Sequence, residues 1–199
     1  MLVKSIEDAL RLVLTWAGRA DLPVPPRLDP PGLPAGLASV VSVSDALGVG
    51  AFTPNASPLL TTQDRILRPD VMRTDKGGYT TFIVENQGAF SLGFRRDDPG
   101  RLFLSGDWYT VPDCPVPTGW RSLPMLPEEA LILTVLTNGF MGLTGRLKTR
   151  DEPDFDSVPA DCGIQVWRHD AMGALWPGFW TDADRSRLYY GGMGMTLLL

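Results

Sequence analysis

Between Tyr79 and Ser105, apolar and polar positions change places with a period of two, three times over. Phe82 and Val84 alternate with Thr81 and Ile83; Phe90, Leu92 and Phe94 alternate with Ser91, Gly93 and Arg95; Leu102 and Leu104 bracket Phe103. That period puts successive side chains on opposite faces of a strand, so the stretch predicts a three-stranded meander. Its breaks carry turn chemistry. Asn86-Gln87-Gly88 tolerates positive φ, and Asp98-Pro99-Gly100 sets Pro where φ is fixed and Gly where a type II turn needs it.

Helical spacing appears on either side. Ser5 followed by Asp8 resembles a capping box, and Ile6, Ala9, Leu10, Val13 and Ala17 recur on one face, predicting an amphipathic helix to about Trp16. Leu22 to Pro34 holds six prolines and reads as a surface crossing or arm, either a stiff connector or a proline-motif ligand. From Ala35 to Leu47 a helix can gather Leu37, Val40, Val41 and Leu47, although Val40 to Val43 also fits a strand. Gly48 to Thr62 is loop-like, and Arg65 to Arg68 is a short strand or turn. Pro127 opens a further helix, with Glu128 and Glu129 at the positive end of its dipole. The residues from Ala130 to Leu136 are apolar nearly all round, so this helix should be buried, and Asn138-Gly139 should end it. Ile164, Val166 and Trp167 suggest a strand, Phe179-Trp180 and Leu188 to Tyr190 a last hairpin around Asp182 to Ser186, and Met193 to Leu199 an apolar end within a strand or on the core.

Length and composition narrow the class. The 199 residues suit one domain, and 44% hydrophobic with 21% charged residues is ordinary globular usage. A formal net charge of −5 disfavours nucleic acid as a partner and favours a basic one. Two cysteines, far apart, announce neither a disulfide framework nor a CxxC metal pair, so a reduced cytoplasm is expected. Glu7, Asp8 and Arg11 interrupt what would be a signal-peptide core, and the longest uncharged segment falls short of a membrane span. No export signal or membrane association is expected.

Catalytic motifs are few. A single histidine, His169, excludes sites that need two imidazoles, and no metal or cofactor is expected. A Cys162/His169 dyad matches no local signature, and neither a GxSxG elbow nor a phosphate-cradling glycine loop occurs. The carboxylates open to acid/base work are the pair Asp97-Asp98, or Glu85 with Asp107, while in turns such residues bond their own backbone. The tryptophans Trp108, Trp120, Trp167, Trp176 and Trp180 read as a ligand cradle or as a seal on the core edge.

The run Thr81 to Phe90, containing Glu85-Asn86-Gln87-Gly88, followed by Asp97-Asp98-Pro99, resembles the central motif of the SUKH superfamily, which includes fungal cell-wall-synthesis regulators and bacterial immunity proteins. Leu33-Pro34 and Trp120 to Leu123 resemble its entries to two helices, while Gly93 and Phe94 stand where a Trp is common. The resemblance implies an α+β domain over residues 1–199, a mostly antiparallel sheet with helices packed on one face, and a diverged helix and Pro-rich arm over about 1–34. It makes Glu85, Asn86, Gln87, Gly88, Asp98 and Pro99 a structural motif without catalytic residues. It also implies an immunity-type protein that neutralises a cognate toxin, such as a basic nuclease or deaminase, by binding it in the cytoplasm. The partner-binding candidates are Asp151, Glu152, Asp154, Asp156 and Asp161 in a solvated loop, with Asp182 and Asp184 second. The alternative is a small enzyme or ligand-binding domain using Glu85 and Asp97 or Asp98 in a cleft.

Overall fold

In the computed structural model, which describes residues 2–48, 59–106, 119–144, 148–151, 158–169, 178–191 and 194–199, the meander is the middle of a larger sheet. β1 (Arg65–Ile66), β2 (Tyr79–Val84), β3 (Phe90–Arg95), β4 (Asp98–Gly106) and β5 (Trp120–Ser122) lie side by side in chain order, each antiparallel to its neighbour. A second antiparallel sheet has the order β6-β10-β9-β8-β7, built from β6 (Lys148–Asp151), β7 (Ile164–Arg168), β8 (Gly178–Thr181), β9 (Arg187–Tyr190) and β10 (Met195–Leu198). Three helices, α1 (Ile6–Trp16), α2 (Leu37–Leu47) and α3 (Pro127–Thr144), pack against the sheets, so the fold is α+β. The expected single sheet is divided in two, with α3 touching β4 of one and β10 of the other.

Local chemistry sets the helix starts. Ser5 caps α1, its hydroxyl accepting from Asp8 N at 3.3 Å. The Asp8 carboxylate reaches back to Lys4 N at 3.0 Å, one residue beyond the Ser5 amide that a capping box would use. In α2 the buried apolar positions are Leu37, Val40, Val43 and Leu47; Val41 turns partly outward. The Pro-rich stretch is tied down as a connector: Leu28 N donates to Ser39 Oγ at 3.1 Å, and Arg27 pairs with Glu128 at 2.9 Å.

Three expectations are corrected. Phe82 and Ile83 are both buried, because the pairing with β3 slips between Thr81 and Ile83 and shifts the phase of β2 by one residue. The turn between β3 and β4 falls on Arg96-Asp97, since Arg95 pairs with Asp98. Asp98, Pro99 and Gly100 therefore begin β4, at its exposed end, where proline loses no ladder bond that the sheet interior requires. Finally, α3 runs through Asn138-Gly139 to Thr144. The Asn138 side-chain amide donates to Leu59 O and Asp64 O, and its carbonyl accepts from Gln63 N and Asp64 N, so the residue anchors a distant loop. Gly139 is where α1 crosses α3: a Cβ there would lie 2.7 Å from Val13 Cγ2.

One continuous core includes α1, α2, α3 and residues of both sheets, with Phe82, Phe94, Phe140 and Phe179 fully buried. A helix apolar on every side is stable only when covered on every side, and α3 meets that condition, with nearly all of its residues from Ala130 to Leu143 buried. Among the described residues no helix is long and apolar enough to cross a membrane.

Candidate functional site

The motif turn is closed by its own carboxylate. Glu85 is 4% exposed and its Oε2 accepts from Gln87 N at 2.8 Å and Ala89 N at 3.0 Å. Glu85 N donates to Phe90 O and Gly88 N donates to Glu85 O, so the acid sits inside a ring of backbone bonds. Gly88 supplies the left-handed conformation the turn needs, at φ 79°. Beside it stands Asp64, just before β1, a residue that reading along the chain missed. Burial and the neighbouring Glu85 raise its carboxyl to about 6, against a bond from the Asn86 amide that lowers it.

Glu85 and Asp97 or Asp98 do not share a cleft. Glu85 lies before the Phe90 end of β3 and Asp97 beyond the Arg95 end, about 17 Å apart at the rise of an extended strand. Asp97 instead pairs with Arg95 at 3.0 Å, and that exposed guanidinium holds it below the usual carboxylate range. Asp107, Trp108 and Trp176 lie outside the described residues. Cys162 and His169 flank β7 at opposite ends; Cys162 is buried against Trp180 and Tyr189, and His169 Nε2 is 3.3 Å from the Glu129 carboxylate. Among the described residues no three His, Cys, Asp or Glu gather as metal ligands.

The outer face of the first sheet carries a different constellation. Tyr79 from β2, Phe103 from β4 and Trp120 from β5 meet there: Tyr79 stacks on Trp120 with centroids 5.3 Å apart and meets Phe103 edge-on at 5.0 Å. Trp120 reaches across the sheet over Gly93 of β3, where a Cβ would come within 2.8 Å of its ring. Asp75 fixes the indole, accepting from Trp120 Nε1 at 2.7 Å while also accepting from the Tyr79 and Gly77 amides. The Tyr79 amide first, then the indole and the Gly77 and Gly78 amides, keep the Asp75 carboxyl below its ordinary range. Arg95 lies over the Tyr79 ring at 5.7 Å and Arg101 over Phe103 at 5.5 Å. Tyr79 and Trp120 are half-buried and Arg101 is exposed, so the cluster is in contact with solvent. The strand periods announced this face, but its members, scattered over more than one turn of the meander, have no local signature that joins them.

The acidic candidates separate into two groups. Glu152, Asp154 and Asp156 lie outside the described residues, and Asp151 ends β6. Asp161, Asp182 and Asp184 are brought together at the β8–β9 turn, but two of them are engaged: Arg187 pairs with Asp161 and, at 3.9 Å, with Asp182. Asp182 further accepts from Ser186 Oγ at 2.8 Å and Arg187 N at 3.1 Å. Asp184 accepts from Ser186 N and stays exposed.

No family model, no curated protein and no solved structure matches this chain.

Proposed function

We propose that this chain is a non-catalytic, immunity-type protein of the SUKH superfamily that binds and neutralises a cognate bacterial toxin in the cytoplasm, docking it on the outer face of the first sheet. The observation that carries this reading is the Tyr79–Phe103–Trp120 cluster with Arg95 and Arg101 above it. Trp, Tyr and Arg dominate the energetics of protein interfaces because they bury large, rigid, amphipathic surface at little entropic cost. Here Asp75 and Gly93 hold the rings in place before any partner arrives, which lowers the cost of binding. The net charge of −5 favours a basic partner approached by electrostatic steering. Glu85 fits this reading as the lock of a turn, with its Oε2 accepting from Gln87 N and Ala89 N.

The test is co-expression with the toxin domain encoded by a neighbouring reading frame. Wild-type protein restores growth; Trp120→Ala with Arg101→Glu, folded by circular dichroism, does not. Full protection by that double variant removes the first sheet's face from the interface. The second reading, a small enzyme or ligand-binding domain, is favoured by the raised Asp64 carboxyl beside Glu85. It requires a turnover that Asp64→Asn abolishes in a folded protein.

A further inference from the structure

Between α1 and the second sheet lies a hollow of ≈ 260 Å³. Its walls are Leu2, Leu12, Trp16, Val166, Leu188 and Leu199. Two hydroxyls also line it, and the proton of each is committed: Thr15 donates to Arg11 O at 2.8 Å and Thr181 donates to Arg187 O at 2.6 Å. At its mouth is Arg185, the one non-glycine described residue with positive φ, at 60°. A β-hairpin position of that kind is most cheaply filled by Gly or Asn, and an arginine there carries backbone strain. Of the neighbouring carboxylates, Asp161 and Asp182 pair with Arg187, and Asp184 accepts from Ser186 N. The Arg185 amide donates to Asp182 O, while its guanidinium has no hydrogen bond or ion pair among the described residues, and that planar fork of donors suits a carboxylate.

We infer that this hollow binds a small amphipathic monocarboxylate, its alkyl or arylalkyl body against the leucines and Trp16 and its head on Arg185. The volume suits that size: it exceeds the roughly 150 Å³ that admits a benzene ring and falls below the roughly 300 Å³ where drug-sized pockets begin. With both hydroxyl protons engaged, Arg185 is the donor that faces a ligand's head, and its charge favours a carboxylate over an uncharged group. This inference is independent of the toxin-binding reading.

The experiment is a titration of the full chain with octanoate, octanol and octylamine, read by calorimetry and by the Trp16 indole N–H resonance. Octanoate binds at least tenfold tighter than octanol, octylamine does not bind, and Trp16 shifts with octanoate alone at matched concentration. Arg185→Gln weakens octanoate at least tenfold and leaves octanol unchanged, while Arg11→Gln on the exposed face of α1 changes neither. Equal affinity for octanoate and octanol, an unaffected Arg185→Gln variant, or no octanoate binding at millimolar concentration overturns the inference. So does binding that leaves Trp16 unmoved. Tighter binding of a peptide ending in leucine than of octanoate replaces the small molecule with a partner's C-terminus.

Discussion

Trp120 closes over Gly93, with its Cζ3 and Cη2 atoms 2.8 Å from where a Cβ would sit. The glycine is therefore the floor of the aromatic face. Gly93→Val has no room and must eject the indole, breaking the bond to Asp75 and the stack on Tyr79. We expect a loss of about 1–3 kcal/mol in urea unfolding from overpacking, with the Trp120 emission shifted toward that of an exposed indole. Gly93→Val with Trp120→Ala should recover most of the stability and none of the binding.

Gly139 makes a similar allowance inside the core. In an isolated helix Gly→Ala gains about 1 kcal/mol, yet here the added methyl meets Val13 at 2.7 Å. Gly139→Ala should destabilise by about 1–3 kcal/mol, and Val13→Ala in the same chain should offset part of that, a coupling measurable by a double-mutant cycle.

These two glycines show what could be read along the chain and what could not. The period-two runs gave the meander, and the apolar stretch after Pro127 gave a buried helix, because both patterns are local consequences of one face or all faces being covered. Asn138-Gly139 misled because its turn chemistry is overridden by tertiary structure: Asn138 spends its amide on residues 59–64 and Gly139 on the approach of α1. Asp98-Pro99-Gly100 misled for a smaller reason, since Arg96-Asp97 makes the turn two residues earlier. The aromatic face and the Asp64–Glu85 pair were illegible because each joins residues distant in sequence, with no spacing rule to connect them.

Asp64 gives a pH dependence with a defined sign. Its carboxyl is raised to about 6 in the folded protein, above its unfolded value of 3.8, so its contribution to stability is full below about pH 4 and is lost as pH rises through 6. Asp64→Asn keeps an acceptor for the Asn86 amide and cannot ionise. It should match wild type at pH 4 and exceed it by about 1–3 kcal/mol at pH 8, measured by urea unfolding. A variant less stable than wild type at pH 8 contradicts this.

Glu85→Ala should behave oppositely, removing the buried carboxylate that accepts from Gln87 N and Ala89 N and closes the turn. The expected cost is about 2–3 kcal/mol, with hydrogen exchange accelerated at those two amides and not in α3.

Arg185 carries a cost that a glycine would remove. Arg185→Gly should raise stability by about 1 kcal/mol, through relief of the left-handed backbone, while losing octanoate binding. Unchanged or reduced stability would show that the hairpin holds this conformation without strain.

The most direct measurement is the dissociation constant between this chain and the toxin domain encoded beside it, for wild type and Trp120→Ala, at matched fold by circular dichroism. A docking face centred on Trp120 predicts tight binding by wild type and a loss of about thirtyfold or more on truncating the indole. Absence of binding by wild type, or equal affinity for both proteins, contradicts it.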